Sequence, residues 1–327
     1  DGFSVARQAW LSRGPLTWLQ GVEVDALASG SPSLQAPEHR LVWDGKLWVE
    51  DALDGLARFG LDASPLPRWT LNGGTVQALA AGPGDALFVQ QASTLAAWSA
   101  QGGHLSLLQP LAGALIGSTD QGATLWMQYG GALTAYHVQA DAAGISFVQQ
   151  SAWPLAQPLS VARLKDGRIL LAYPDALKVL DPVSGVEQST WNSLPSGQAY
   201  SGAAVMASGV VVASVSGDRP GLLALDALGR PLGELRGAGS APGQWMSPQA
   251  PAVAGDEVWV ADQTLGREAH LSLSLGLLQA TILGPRERSP DGLEPIQVDV
   301  QAPGLERWEL FQQDGLDGSG QILLAQG

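Results

Sequence analysis

The chain has 327 residues, with 17 lysine and arginine residues against 31 aspartate and glutamate residues, a formal net charge of -14 and no cysteine. The lack of cysteine excludes a disulfide framework, a cysteine-ligated zinc or iron–sulfur site and a thiol nucleophile. The acidic balance disfavours binding through phosphate contacts, so we expect no nucleic-acid partner.

The amino-terminal sequence and the hydropathy pattern bear on localisation. No apolar run approaches the roughly 20 residues that a spanning helix needs, and the sequence therefore predicts no membrane span. Position 1 is Asp rather than Met, which favours a chain from which a signal peptide has been removed. We expect a secreted, periplasmic or cell-surface protein, associated with a bacterial cell envelope.

Short apolar strands recur along the chain, each preceded by a turn that contains Gly or Asp. The segments with this pattern are 44–49, 84–89, 122–127, 166–171, 208–212 and 255–260. Their central residues are Trp48, Phe88, Trp126, Leu170, Val211 and Trp259, separated by 40, 38, 44, 41 and 48 positions. This spacing is typical of the four-stranded blades of a β-propeller. A helical solenoid would need amphipathic helices, which the sequence does not contain.

A further strand follows most of these segments and ends on a turn with Gly. It carries an aliphatic residue three positions before a ring or a leucine, as in Leu56 and Phe59 or Leu177 and Leu180. A short outer strand comes next, for which Trp69 and its neighbours are the first example. The Asp residues that precede Gly or follow it in the turns suit tight hairpins, so we assign them to turn chemistry rather than to function.

The two ends of the chain are predicted to share one blade. The carboxyl-terminal segment 318–326 has the pattern of a turn and a strand with nothing after it, and segment 1–19 supplies the strands that would follow. Joining them closes the ring and leaves no open sheet edge. We therefore predict a single all-β propeller domain over 1–327 with seven blades, with six or eight as alternatives. Residues 284–304 break the pattern and are predicted to be an insertion between the last two blades.

One segment resembles the NHL repeat. Residues 239–245 read Gly-Ser-Ala-Pro-Gly-Gln-Trp and are followed by Pro248, a Val-Ala-Asp strand end at 260–262, and Arg267. Residues 222–229 are more similar to the repeat of quinoprotein-type propellers. These resemblances imply the propeller fold, and NHL-type relatives include both binding scaffolds and lyases or lactonases, so function stays open.

A column of polar residues lies three positions beyond the core residue of the aligned strands. Its members are Asp51, Gln91, Tyr129, Tyr173, Ser214, Asp262 and Gln326. Residues at equivalent strand ends converge on one face of a propeller, so we predict a ligand-binding site from Asp51, Gln91, Tyr129, Tyr173 and Asp262. The alternative is that these side chains cap turns and bond to neighbouring backbone.

The tryptophans divide into two groups. Trp48, Trp126 and Trp259 share the core column and are predicted to pack between blades. Those outside that column are candidates for an exposed aromatic surface that could bind carbohydrate, and they are Trp10, Trp18, Trp191, Trp245 and Trp308. The four histidines have no metal-ligand spacing and no nucleophile elbow is present, so we predict no catalytic set and no cofactor.

These observations favour a non-enzymatic binding or scaffold propeller that engages a protein partner or an envelope assembly through one face. The column marks the favoured face, and Arg286 and Arg288 in the insertion are predicted to make a second contact with the partner. The alternative is an enzyme of the lactonase or lyase type. In that case Asp51, Asp262 and backbone oxygens would hold a divalent metal in the central channel.

Overall fold

The computed structural model describes residues 16–24, 39–51, 55–61, 65–71, 75–191, 194–240, 243–275, 279–283, 297–301, 309–314 and 320–326. Nearly all regular structure in these segments is β-strand, and the one short 3₁₀ turn is Asp120–Gly122. Among the same residues, no helix has the length and apolar character needed to cross a membrane.

The strands form six four-stranded sheets and two hairpins. Strand β1 is Leu16–Val24. The first sheet has β2 (Arg40–Trp43), β3 (Lys46–Asp51), β4 (Gly55–Gly60) and β5 (Pro65–Trp69); the second has β6 (Val76–Ala81), β7 (Ala86–Gln91), β8 (Thr94–Ser99) and β9 (His104–Leu105); the third has β10 (Ala114–Thr119), β11 (Thr124–Tyr129), β12 (Ala132–Asp141) and β13 (Gly144–Trp153). The fourth has β14 (Ser160–Arg163), β15 (Ile169–Ala172), β16 (Leu177–Leu180) and β17 (Glu187–Trp191); the fifth has β18 (Gln198–Val205), β19 (Val211–Gly217), β20 (Gly221–Leu225) and β21 (Pro231–Arg236); the sixth has β22 (Ala252–Ala254), β23 (Glu257–Asp262) and β24 (Arg267–Leu275), with β1 as its fourth strand. The hairpins are β25 (Gln279–Leu283) with β26 (Gln297–Gln301), and β27 (Glu309–Asp314) with β28 (Gly320–Gln326).

The first strands of the six sheets form a closed ring. Each of β2, β6, β10, β14, β18 and β22 contacts the next around the circle, and β22 contacts β2. Apolar side chains fill the space between neighbouring sheets, as where Leu170 and Val179 of the fourth sheet pack with Val211 of the fifth. Burial of each such side chain contributes about 1.5–3 kcal/mol. The fold is a six-bladed β-propeller, and each sheet is one blade.

The blade count and the closing strands differ from the leading prediction. The structure has six blades, the alternative count, rather than seven. The amino-terminal strand β1 does close the ring, but it pairs antiparallel with β24 of the sixth blade, with Val24 opposite Glu268. The carboxyl-terminal strand β28 pairs with β27 instead. Strand pairing depends on which edges meet in space. The segment 252–275 supplies three strands of the sixth sheet, and β1 adds the fourth.

Tryptophans on the outer strands connect neighbouring blades. Trp191 ends β17 and covers Gly229 in a turn of the fifth blade, and Trp153 covers Gly185 of the fourth blade in the same way. Trp191 is 7% exposed and Trp245 is 1% exposed, so the prediction that they form an exposed surface is wrong. Both rings lie between two blades and are buried by residues of the neighbouring blade. The predicted core positions of Trp48, Trp126 and Trp259 are confirmed, at 0%, 3% and 0% exposed.

Replacing Gly229 by alanine is expected to lower the free energy of unfolding by about 2 kcal/mol. Gly229 has a φ of +79°, and a Cβ there would lie 2.4 Å from atoms of the Trp191 ring. Gly130→Ala is the control, because Gly130 also has a positive φ but has open space around it, so it should cost only about 1 kcal/mol. Guanidinium unfolding followed by tryptophan fluorescence measures both, and equal midpoints would contradict the packing explanation.

Candidate functional site

The predicted polar column lies on one face of the propeller. This face carries the connections that lead from one blade to the inner strand of the next, and we call it the connection face; the opposite face, where first and second strands are joined, is the hairpin face. The second strand of a blade ends at the connection face. Asp51, Gln91, Tyr129 and Asp262 are the last residues of such strands, and Tyr173 follows one directly.

The members of the column have different environments. Asp262 is fully buried and accepts hydrogen bonds from three backbone N–H groups, those of Met246 at 2.6 Å, Ser247 at 3.1 Å and Leu265 at 3.2 Å. Tyr173 is mostly buried and its hydroxyl donates to the Ala156 carbonyl at 3.1 Å. Asp262 and Tyr173 thus hold connecting segments in place, and ligand binding by the column stays a prediction.

Tyr173 is also a titratable group in this region. Burial, with a smaller contribution from the Glu187 carboxylate, raises the pKa of its phenol. The Lys178 ammonium lies 5.7 Å from the centre of the Tyr173 ring. The phenol therefore stays protonated at neutral pH and keeps its role as a hydrogen-bond donor.

Two glutamines that the sequence analysis did not single out form hydrogen bonds to the segments that connect the blades. Both lie within the second strand of a blade. The Gln90 amide donates to the Gly113 carbonyl and accepts from the Leu115 N–H, both at 2.6 Å. The Gln128 amide donates to the Leu155 carbonyl at 2.9 Å. Each glutamine lies one residue before a column position, and an amide inside a buried strand is the sequence signal that could have identified them.

An exposed apolar surface lies beside these contacts. Tyr129 is 64% exposed and Leu159 is 44% exposed. Pro154 and Ala156 in the connection after β13, and Pro174 in the turn after β15, are exposed on the same face. We call these five residues the apolar patch. Residues 154–159 are held by the bonds from Gln128 and Tyr173 and by the Leu159 N–H, which donates to the Ala172 carbonyl at 2.8 Å. Pro154, Ala156 and Leu159 of the patch therefore belong to a segment that is fixed before any partner arrives.

A channel of about 700 Å³ runs along the axis of the ring. The inner strands form its walls, residues 157–159 lie at its connection-face end, and Asp120–Gly122 and Arg163 lie at its hairpin-face end. This volume is within the range of about 300–1,000 Å³ that is typical of small-ligand sites. The channel opening at residues 157–159 adjoins the apolar patch through Leu159.

A strained turn and an ion pair mark the hairpin-face end of the channel. Asp120 and Gln121 both have a φ of 55°, a conformation that residues other than glycine seldom adopt. The Asp120 carboxylate contacts the Arg163 guanidinium of the next blade at 2.5 Å and accepts from the Thr124 hydroxyl at 3.2 Å. The positive and negative charges at this end compensate each other.

A second charged pair is buried where the first and sixth blades meet. Arg40 Nε lies 3.2 Å from Glu268 Oε1, with both side chains at most 2% exposed, and Arg40 also donates to the Ala250 carbonyl at 2.6 Å. Burial, only partly offset by Arg40, raises the pKa of the Glu268 carboxyl to about 7. Burial likewise lowers the pKa of Arg40, against the opposing attraction of Glu268 and Glu50. This charged pair stabilises the seam only partly, because desolvation opposes it.

The described residues do not provide a built metal centre. No group of three or more histidine, aspartate or glutamate residues among them is placed to hold an ion. The three amide hydrogens directed at the Asp262 carboxylate would repel a cation, so Asp262 as placed does not fit a hard metal ligand. The side chain of Asp51, and the predicted partner-binding residues Arg286 and Arg288, lie outside the described part of the chain.

Comparisons with known proteins agree with the fold. No protein-family model matches the chain, and no curated protein matches it. A structural genomics protein of unknown function from Bacteroides thetaiotaomicron is 9% identical with a TM-score of 0.56, over 81% of this chain and 74% of that one. The propeller domain of Cps50 (Swd1) from Myceliophteria thermophila is 10% identical with a TM-score of 0.53, over 78% and 100%. A virginiamycin B lyase from Staphylococcus aureus is 13% identical with a TM-score of 0.47, over 77% and 99%. At these identities the likeness to the first two structures, whose TM-scores exceed 0.5, concerns the fold alone.

Proposed function

We propose that this chain is a non-enzymatic β-propeller that binds a protein partner through its connection face, as an exported or envelope-associated scaffold. The observation that carries the proposal is the apolar patch, with Tyr129 and Leu159 exposed at 64% and 44%. Exposed aromatic and aliphatic side chains on one ordered face are typical of protein interaction sites, and tyrosine is enriched among the residues that dominate binding energy.

The rigidity of the patch supports the same function. Residues 154–159 are held by hydrogen bonds from two blades, through Gln128 and Tyr173. A surface that is ordered before binding loses little conformational entropy when the partner docks. The net charge of -14 favours a partner whose rim is basic, because opposite charges around an apolar centre accelerate association and select the partner.

Replacing Tyr129 and Leu159 together by alanine is expected to weaken partner binding at least thirtyfold, because two central contacts of an interface are lost. The chain is immobilised and exposed to an envelope extract of the source organism, the bound protein is identified by mass spectrometry, and its affinity is then measured with purified components. The dissociation constant of wild type and variant is the quantity compared.

The matched control is Val183→Ala on the hairpin face, where Val183 is 84% exposed. This variant should bind the partner with unchanged affinity. Equal affinity of wild type, control and the Tyr129 and Leu159 double variant would contradict the proposed function. Loss of binding in the control alone would place the interface on the hairpin face and would contradict it equally.

A further inference from the structure

Met246 carries the one accessible sulfur atom of the chain. The chain has three methionines and no cysteine, and all three methionines lie in the described segments. Met127 and Met206 are 1% and 2% exposed, whereas Met246 is 48% exposed. A thioether in contact with water reacts directly with a peroxide, while a buried one reacts only when the structure around it opens. Oxidation of this chain should therefore be selective for Met246.

The backbone on both sides of Met246 is fixed on the connection face. Met246 belongs to the connection from β21 to β22, and its N–H donates to the Asp262 carboxylate, at the end of β23, at 2.6 Å. Trp245 is buried between the fifth and sixth blades, and its N–H donates to the Gly237 carbonyl at 2.8 Å. The Ser247 N–H donates to the Asp262 carboxylate at 3.1 Å. Met246 thus presents a half-exposed thioether from an ordered segment.

Oxidation changes what this side chain contributes to an interface. A thioether is flexible and polarisable, which suits an adaptable contact with an apolar surface. The sulfoxide adds a hydrogen-bond acceptor, and covering that acceptor costs free energy unless the partner supplies a donor. Tyr129 and Leu159 are exposed on the same face, so a partner that covers this face from the third to the sixth blade also buries Met246.

We propose that Met246 is a modification site, at which oxidation by hydrogen peroxide to the sulfoxide lowers the affinity for the protein partner; the inference rests on the proposed function. The sulfur lone pair attacks one peroxide oxygen, and an S–O bond forms as the O–O bond breaks. The hydroxide that leaves takes the proton of the transferred oxygen and becomes water. The sulfur is oxidised by two electrons and the peroxide is reduced by two. Methionine sulfoxide reductases reverse the change.

The first part of the test measures selectivity. Wild type is treated with hydrogen peroxide at neutral pH and digested, and mass spectrometry follows the gain of one oxygen at each methionine. Met246 should react at least about tenfold faster than Met127 and Met206. The singly oxidised chain should unfold at the same guanidinium concentration as untreated chain, because the sulfoxide stays in water.

The second part measures affinity for the partner recovered from the envelope extract, added after the peroxide has been removed. Oxidised wild type should bind it about tenfold more weakly, and methionine sulfoxide reductase with dithiothreitol should restore the affinity. Met246→Gln should bind weakly without any peroxide treatment. Met246→Leu is the matched control, because leucine is apolar and close in volume, and it should bind equally well before and after treatment.

The inference fails if Met246 reacts no faster than the two buried methionines, or if the oxidised chain binds the partner with unchanged affinity. In the second case, loss of binding in the Tyr129 and Leu159 double variant would leave the proposed function standing. If that double variant also binds as wild type does, or if the extract yields no partner, both the inference and the proposed function fail.

Discussion

Replacing Asp262 by alanine is expected to lower the free energy of unfolding by about 4 kcal/mol, because it removes the shared acceptor of three partly buried backbone N–H groups. These are the N–H groups of Met246, Ser247 and Leu265, which the fully buried carboxylate binds at 2.6 to 3.2 Å. The same change should release the segment that leads into the sixth blade. Guanidinium unfolding measures the loss, and hydrogen exchange at Met246 and Ser247 measures the release.

Asp175→Ala is the matched control, because Asp175 is exposed in the equivalent turn of the fourth blade and its loss should change stability by less than about 0.5 kcal/mol. Asp262→Asn should be intermediate, since one oxygen remains as an acceptor while the new amide group opposes an N–H group. A destabilisation by Asp262→Ala no larger than that of Asp175→Ala would contradict the structural role. A calcium-dependent rise in the melting temperature of wild type that is absent in Asp262→Ala would instead favour the metal-binding enzyme alternative.

The second prediction concerns the pH dependence of the free energy of unfolding, to which Glu268 contributes. Its pKa in the folded chain is about 7, above the ordinary 4.5, so the folded state binds this proton more tightly than the unfolded state does. The stabilisation by the proton is complete below pH 4.5 and is lost as the pH rises through 7. We expect the free energy of unfolding to fall by about 3 kcal/mol from this group between pH 4.5 and 8.

The comparison variant is Glu268→Gln, which cannot titrate and should remove this part of the pH dependence. Among the described side chains, the charged groups around Glu268 are Arg40 and, beyond it, Glu50, and both remain in the variant. Glu187→Gln on the surface is the control, since hydrogen bonds from Thr190 and Lys178 lower the pKa of Glu187 and place its titration below this window. Unfolding curves at a series of pH values test the prediction, and parallel profiles for wild type and Glu268→Gln would refute it.

The repeating parts of the propeller could be predicted from the sequence because each blade repeats one local pattern. A turn with Gly or Asp followed by a buried strand recurs around Trp48, Trp126 and Trp259, and these residues are in the core. Strand alternation depends on neighbouring residues, so it is visible in a single chain. The position of the polar column at one face follows from the same periodicity, since equivalent strand ends meet at one face of a propeller.

The contacts between blades could not be predicted in the same way. Trp191 has the sequence surroundings of a surface residue, yet its ring packs against Gly229 of the next blade. Gln90 and Gln128 gain their roles from carbonyl groups 23 and 27 residues further along the chain. Which carbonyl groups they bind depends on how two blades pack together, and the sequence near each glutamine does not indicate this packing.

An all-β chain of repeated blades, with a tryptophan core and polar strand ends, could be predicted from the residues alone, because burial and turn formation are local properties of short segments. The folded chain was needed to see that six blades close the ring, that β1 completes the sixth blade through β24, and that Tyr129 and Leu159 are exposed on the same face. Those features depend on which edges and loops meet in space, and that is settled by packing around the whole ring rather than by neighbouring residues.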